Sequence, residues 1–133
     1  MCSTEVSELS EFINFLKFSF KSKIKNDLRI VFKLFVKDET NNYKTINIFM
    51  NEKSIDISFI DNNFDIKLVN CVIIIELNTF LTIFNQGIGV FNFLKKIWKK
   101  QIKTEKFSYS DYRKFNSCFD FSNNKWDEYY EQC

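Results

Sequence analysis

Two stretches of the chain alternate strictly between apolar and polar positions. Leu16, Phe18, Phe20 and Ile24 alternate with Lys17, Ser19, Lys21 and Lys23. After Lys25-Asn26-Asp27, the residues Leu28, Ile30, Phe32, Leu34 and Val36 alternate with Arg29, Val31, Lys33, Phe35 and Lys37. A period of two puts each set on one face of a strand, so the pair predicts a β-hairpin with Ile24 opposite Leu28 and Phe20 opposite Phe32. Polar residues 38–42 predict a turn, and Ile46, Ile48 and Met50 keep the same phase. Pairing Leu34 with Ile46 and Ile30 with Met50 carries the apolar face into a third strand. Residues 55–59 predict a fourth strand. Residues 64–68 alternate again and run into residues 69–75, apolar on both sides, which predicts a strand covered on both faces or lying at a subunit interface.

Helical periodicity flanks this region. Val6, Leu9, Ile13 and Leu16 recur at helical spacing after Ser3 or Thr4 as a cap, which predicts a short amphipathic helix over residues 3–15. Asn78 or Thr79 opens another helical segment, Gly87 and Gly89 interrupt it, and a longer amphipathic helix is predicted from about 90 to 102. The expected class is mainly β (α+β): a curved antiparallel meander of four to five strands followed by that long amphipathic helix. An oligonucleotide-binding barrel is the alternative. Residues 1–106 are expected to form this domain, with 107–133 an aromatic, mildly acidic C-terminal tail or accessory layer.

Composition narrows the chemistry. The 133 residues include 17 Phe, 2 Gly, no Pro and no His, a bias towards A/T-rich codons that fits a viral or plasmid-like origin. Without His the commonest neutral-pH base and metal ligand is missing. No Gly-rich phosphate loop or nucleophile elbow is present. Asp56, Asp61 and Asp65 lack the spacing of a calcium loop. No catalytic residue, cofactor or metal is therefore expected, and the chain reads as a non-enzyme. Cys2, Cys71, Cys118 and Cys133 show no C-x-x-C spacing. The acidic start has no signal-peptide pattern, and no apolar run reaches the ~20 residues of a membrane helix. A reducing, cytoplasmic setting without membrane contact is expected.

Net charge is only +2, but it is unevenly spread. Residues 16–37 hold seven cations against Asp27, and residues 95–106 hold six Lys against Glu105. On the predicted sheet, Lys17, Lys21, Lys23, Arg29, Lys33 and Lys37 share a face with Phe35, Tyr43 and Phe49. Singly, each lysine is an ordinary solvated position. Together, cations that neutralise phosphates and aromatic rings that stack bases form a single-stranded nucleic-acid platform. Trp98 and residues 69–75 are expected to make core or dimer contacts.

Three short segments resemble a known family. Asn26-Asp27-Leu28-Arg29-Ile30-Val31, Ile46-Asn47-Ile48 and Ile73-Ile74-Ile75-Glu76-Leu77-Asn78 are similar to strands and the helix start of the positive-cofactor-four (transcriptional coactivator p15) and Whirly type of single-stranded DNA-binding protein. The resemblance covers about residues 16–100. It implies a curved four-stranded sheet, a dimerising helix and a DNA contact at Arg29. The function expected is binding of single-stranded DNA or RNA without base readout, accessory to replication or transcription. A homodimer is expected, with replication or transcription proteins recruited through the tail. A non-catalytic scaffolding subunit of a polymerase complex or particle is the alternative, and a small-ligand-binding barrel the third reading.

Overall fold

The computed structural model describes residues 8–36, 43–61, 63–86 and 90–131. Helix α1 runs Glu8–Ser19, further than the pattern predicts. Leu9, Phe12, Ile13, Leu16 and Ser19 are buried along one stripe. The alternation from Leu16 therefore continues a helical period that Phe12 and Ile13 have already set, and residues 20–27 form no strand. The predicted first hairpin does not exist.

Strands β1 (Leu28–Phe35), β2 (Tyr43–Met50) and β3 (Ile55–Ile60) pair antiparallel in sequence order. The faces are as the pattern requires, but the β1–β2 register is displaced. Phe32 pairs with Ile46 rather than Ile48, and Ile30 pairs with Ile48 rather than Met50. A slip of two residues keeps every side chain on its own face, so hydrophobic phase cannot detect it. The Asn51 side chain closes the next turn, its Oδ1 accepting the amides of Lys53 and Ser54 at 2.8 Å each.

Beyond β3 the chain crosses the sheet instead of adding a strand. Residues 66–68 form a 3-10 turn, with the Asp65 carboxylate accepting the Lys67 amide. Strand β4 (Cys71–Glu76) then lies parallel to β1, with Phe32 beside Ile73 and Leu34 beside Ile75. Cys71, Val72, Ile73 and Ile75 are fully buried, which fits the doubly apolar run that marks this strand. Helices α2 (Leu77–Gln86) and α3 (Val90–Trp98) lead to the edge strand β5 (Lys103–Lys106), which pairs antiparallel with β4. Helices α4 (Tyr109–Ser117) and α5 (Asn123–Glu131) follow.

The result is an α+β fold on a five-stranded mixed sheet in the order β3-β2-β1-β4-β5. The sheet is open, with β3 and β5 at its edges, so it is neither an antiparallel meander nor a closed barrel. Helices cover one face. There Phe32 meets Phe80 at 5.0 Å between ring centroids and Phe115 at 5.9 Å. On the other face Val31 and Val72 form a smaller buried cluster with Ile60 and with Phe64 and Val69 of the crossing segment 63–70. Among the described residues no helix is long and apolar enough to cross a membrane.

Candidate functional site

The residues expected to hold a nucleic-acid strand divide into two groups. Arg29, Lys33, Phe35, Tyr43 and Phe49 do share the sheet face away from the helices. That face is largely occupied by the chain itself. Asn47 and Thr45 are 3% exposed and Val31 is fully buried. Arg29 Nε donates to Asn47 Oδ1 at 2.6 Å, Lys33 is paired with Glu105 and lies over the Phe64 ring, and Phe35 packs edge-on against Tyr43 at 6.2 Å. Lys17 lies in the last turn of α1, and Lys21 and Lys23 lie in the irregular segment after it, so none belongs to that sheet face. Lys37 falls outside the described residues. The parallel crossover caused this outcome: a meander would have left the face bare, whereas joining β3 to β4 drapes residues 63–70 across it.

Two other features bear on binding, a closely packed apolar layer and an open cleft. The first is the layer between the helices and the sheet. Phe12, Phe32, Phe80, Phe93, Tyr112 and Phe115 are each no more than 2% exposed there. Phe80 stands edge-on to Phe12 at 5.2 Å, and Phe93 stacks on Tyr112 at 4.3 Å. Burial pushes the Tyr112 hydroxyl well above its ordinary range, with the neighbouring Cys71 adding to the shift.

The second is a cleft of about 500 Å³ where residues 23–28 face Asn70, Asp111 and Lys114. Its floor is Ile24 and Leu28, both part of the main core. Its rim carries Lys23, Lys25, Asp27 and Lys114, all exposed. Asn70 holds the back wall together. Its Oδ1 accepts the Arg29 amide at 2.9 Å, and its Nδ2 donates to Asp111 Oδ2 at 3.2 Å. Asp111 sits in the first turn of α4, where its amide donates to the capping Ser108 Oγ at 3.3 Å. The cleft therefore joins a charged rim to an apolar floor. Sequence reasoning missed it, because Asn70, Asp111 and Lys114 meet residues 23–28 only through the sheet order. Among the described residues no cluster of three or more His, Cys, Asp or Glu could hold a metal ion.

No protein-family model matches the chain. No curated protein matches it either. Solved structures do share its fold. The UbiJ-SCP2 ubiquinone synthesis protein superposes with a TM-score of 0.50 at 9% identity, covering 89% of this chain and 92% of that one. The solution structure of TT1886, a conserved hypothetical protein of Thermus thermophilus suggested to be a sterol carrier protein, superposes at 0.47 with 10% identity, over 84% and 73% of the two chains. The fold is thus similar to that of UbiJ-SCP2, and its mixed sheet is not the antiparallel sheet of the positive-cofactor-four or Whirly type. Binding of single-stranded nucleic acid, with its replication and transcription partners, falls with that resemblance. Of the core or dimer contacts expected of residues 69–75, the structure shows core contacts, since Val69, Cys71, Val72, Ile73 and Ile75 are buried inside one sheet. The aromatic segment expected to recruit partners is turned inward: Tyr112, Phe115, Phe119 and Tyr129 are buried.

Proposed function

We propose that this chain is a non-catalytic binding domain for an amphipathic, lipid-class molecule. The apolar part of the guest lies between the helices and the sheet, and its polar head lies in the cleft at residues 23–28. The observation that carries this reading is the continuity of the two features: Ile24 and Leu28 line the charged cleft and belong to the apolar core behind it. A volume of about 500 Å³ is within the usual range for small-molecule sites. Likeness of fold to the UbiJ-SCP2 ubiquinone synthesis protein, whose named pathway product is a prenylated quinone, supports the same class of use.

The chain's own rings fill the interior layer, so a guest must displace them. Each ring–ring contact is worth ~0.5–1.5 kcal/mol beyond burial. Displacing a ring also forfeits its burial, typically ~3–5 kcal/mol, and each methylene removed from water returns ~0.8 kcal/mol, so a guest needs roughly five methylenes for each ring it displaces. A long acyl or prenyl chain clears that threshold and a short polar metabolite does not. At the rim, Lys23, Lys25 and Lys114 outnumber Asp27 and Asp111, which favours an anionic head.

Titration with a fluorescent fatty-acid analogue tests the reading. Saturable binding displaced by unlabelled fatty acid is expected, and the triple change Lys23→Gln, Lys25→Gln, Lys114→Gln should weaken it about tenfold or more. Flat titrations with fatty-acid, sterol and quinone probes alike would sink the proposal.

A further inference from the structure

The Lys-rich stretch after residue 94 is not used by the cleft or the interior. The sequence pattern places Trp98 in the apolar stripe of α3. The structure separates the two: Phe93 is buried and Ile97 packs on the core, while Trp98 is 71% exposed. The cause is the way the helix ends. Lys100 adopts a left-handed conformation with φ 59°, and the Gln101 amide donates back to Lys96 O at 2.9 Å. This closure turns the chain into β5 and returns Ile102 to the core, leaving Trp98 on the last turn facing outward. The segment 95–106 that contains it carries six Lys, of which Lys95, Lys99, Lys100, Lys103 and Lys106 are exposed, and one acid, Glu105, which is itself paired with Lys33.

We propose that the last turn of α3 and the following strand β5 form a docking surface for an anionic lipid bilayer. The residue types select this partner. Tryptophan is apolar over most of its area but carries one N–H, which suits the headgroup boundary. Lysines beside it reach anionic headgroups while their stems cover apolar surface. Protein interfaces enrich Arg and deplete Lys, the reverse of this patch. A nucleic-acid strand needs a row of rings for successive bases, and this segment offers one ring. Helix α3 contains no acid at all, so nothing in it repels an anionic surface.

The surface is independent of the cargo reading. A protein that binds vesicles but takes no lipid cargo keeps this inference, and one that takes cargo but ignores vesicles loses it. The experiment is co-sedimentation with phosphatidylcholine vesicles, with and without phosphatidylserine, across a salt series. Partition into the anionic vesicles alone is expected, weakening as salt rises. Trp98 emission, taken as the difference between the native chain and Trp98→Phe, should shift to the blue on binding. Trp98→Ala should lower partition about tenfold, and each of Lys95→Gln, Lys96→Gln, Lys99→Gln and Lys100→Gln about fivefold. Trp98, Lys99 and Lys100 are exposed, so thermal unfolding of their variants should be unchanged. No partition at low salt overturns the proposal. So does partition that survives removal of all four lysines and Trp98, or retention on an oligonucleotide with none on vesicles.

Discussion

Cys71 shows how much a single burial decides here. Its thiol is fully buried at the start of β4, where Sγ accepts the Ser108 amide at 3.5 Å. Burial pushes the thiol up from an ordinary 9.0 to about 11; the Ser108 amide opposes this and the Asp111 carboxylate adds to it. The neutral thiol is therefore the favoured form, which makes Cys71 a poor nucleophile. The raised value also fixes a pH dependence. A group that holds its proton more tightly when folded contributes stability fully below its unfolded pKa. That contribution drains away as pH rises from 9.0 through about 11. The loss is roughly 2–3 kcal/mol. Urea midpoints followed across this alkaline range should fall more steeply for the native chain than for Cys71→Ala. Tyr112 titrates in both chains and loses the contribution of Cys71 in the variant, so their difference reports the thiol together with its coupling to Tyr112. A gap between the two curves that stays constant with pH would contradict this account.

The elements were legible in proportion to how far their signal was local. Strands β1, β2, β3 and β4 were all visible as alternation or as a doubly apolar run. Their partners were not, because parallel pairing of β1 with β4 depends on where residues 61–70 travel, and nothing in those ten positions encodes a direction. Residues 64–68 alternate as a strand would, yet the Asp65 side chain caps a 3-10 turn there. The cleft was invisible for the same reason, since the strand order creates it. Asn70 is the joint of that order. It links the start of β1 to α4 through two side-chain hydrogen bonds, and its own amide donates to Arg29 O at 2.8 Å. Asn70→Ala leaves the Arg29 amide without its partner and should cost about 1–3 kcal/mol in a denaturant melt. Lys33→Gln removes a surface ion pair and should cost no more than about 1 kcal/mol. Equal effects from the two would show that the β1–β4 joint does not depend on Asn70.

At the scale of the whole molecule, the last element pair decides where the domain ends. Pattern alone divides the chain after residue 106, because alternating aromatics with scattered charge give neither a clean helical stripe nor a strand. The aromatic contacts bind the two parts together. Tyr112 stacks on Phe93, Phe115 meets Phe32, and Trp126 lies flat on Phe15 at 3.5 Å and 6°. Helices α4 and α5 thus reach α3, β1 and α1, three elements far apart in sequence. Removing a large buried aromatic side chain typically costs ~3–5 kcal/mol. A chain ending at Lys106 loses Tyr112, Phe115, Phe119 and Tyr129 from the buried core and exposes Phe15 and Phe32. The sum, on the order of 12 kcal/mol or more, is comparable to the whole stability of a domain this size, ~5–15 kcal/mol. Such a chain should therefore show no cooperative thermal transition and should bind a hydrophobic dye strongly, whereas the full chain melts in one step. Retention of a sharp transition by the shortened chain would mean that residues 1–106 form a domain by themselves. The rings of α4 and α5 would then be a removable cover over the interior, and opening that cover would be the route by which a guest enters.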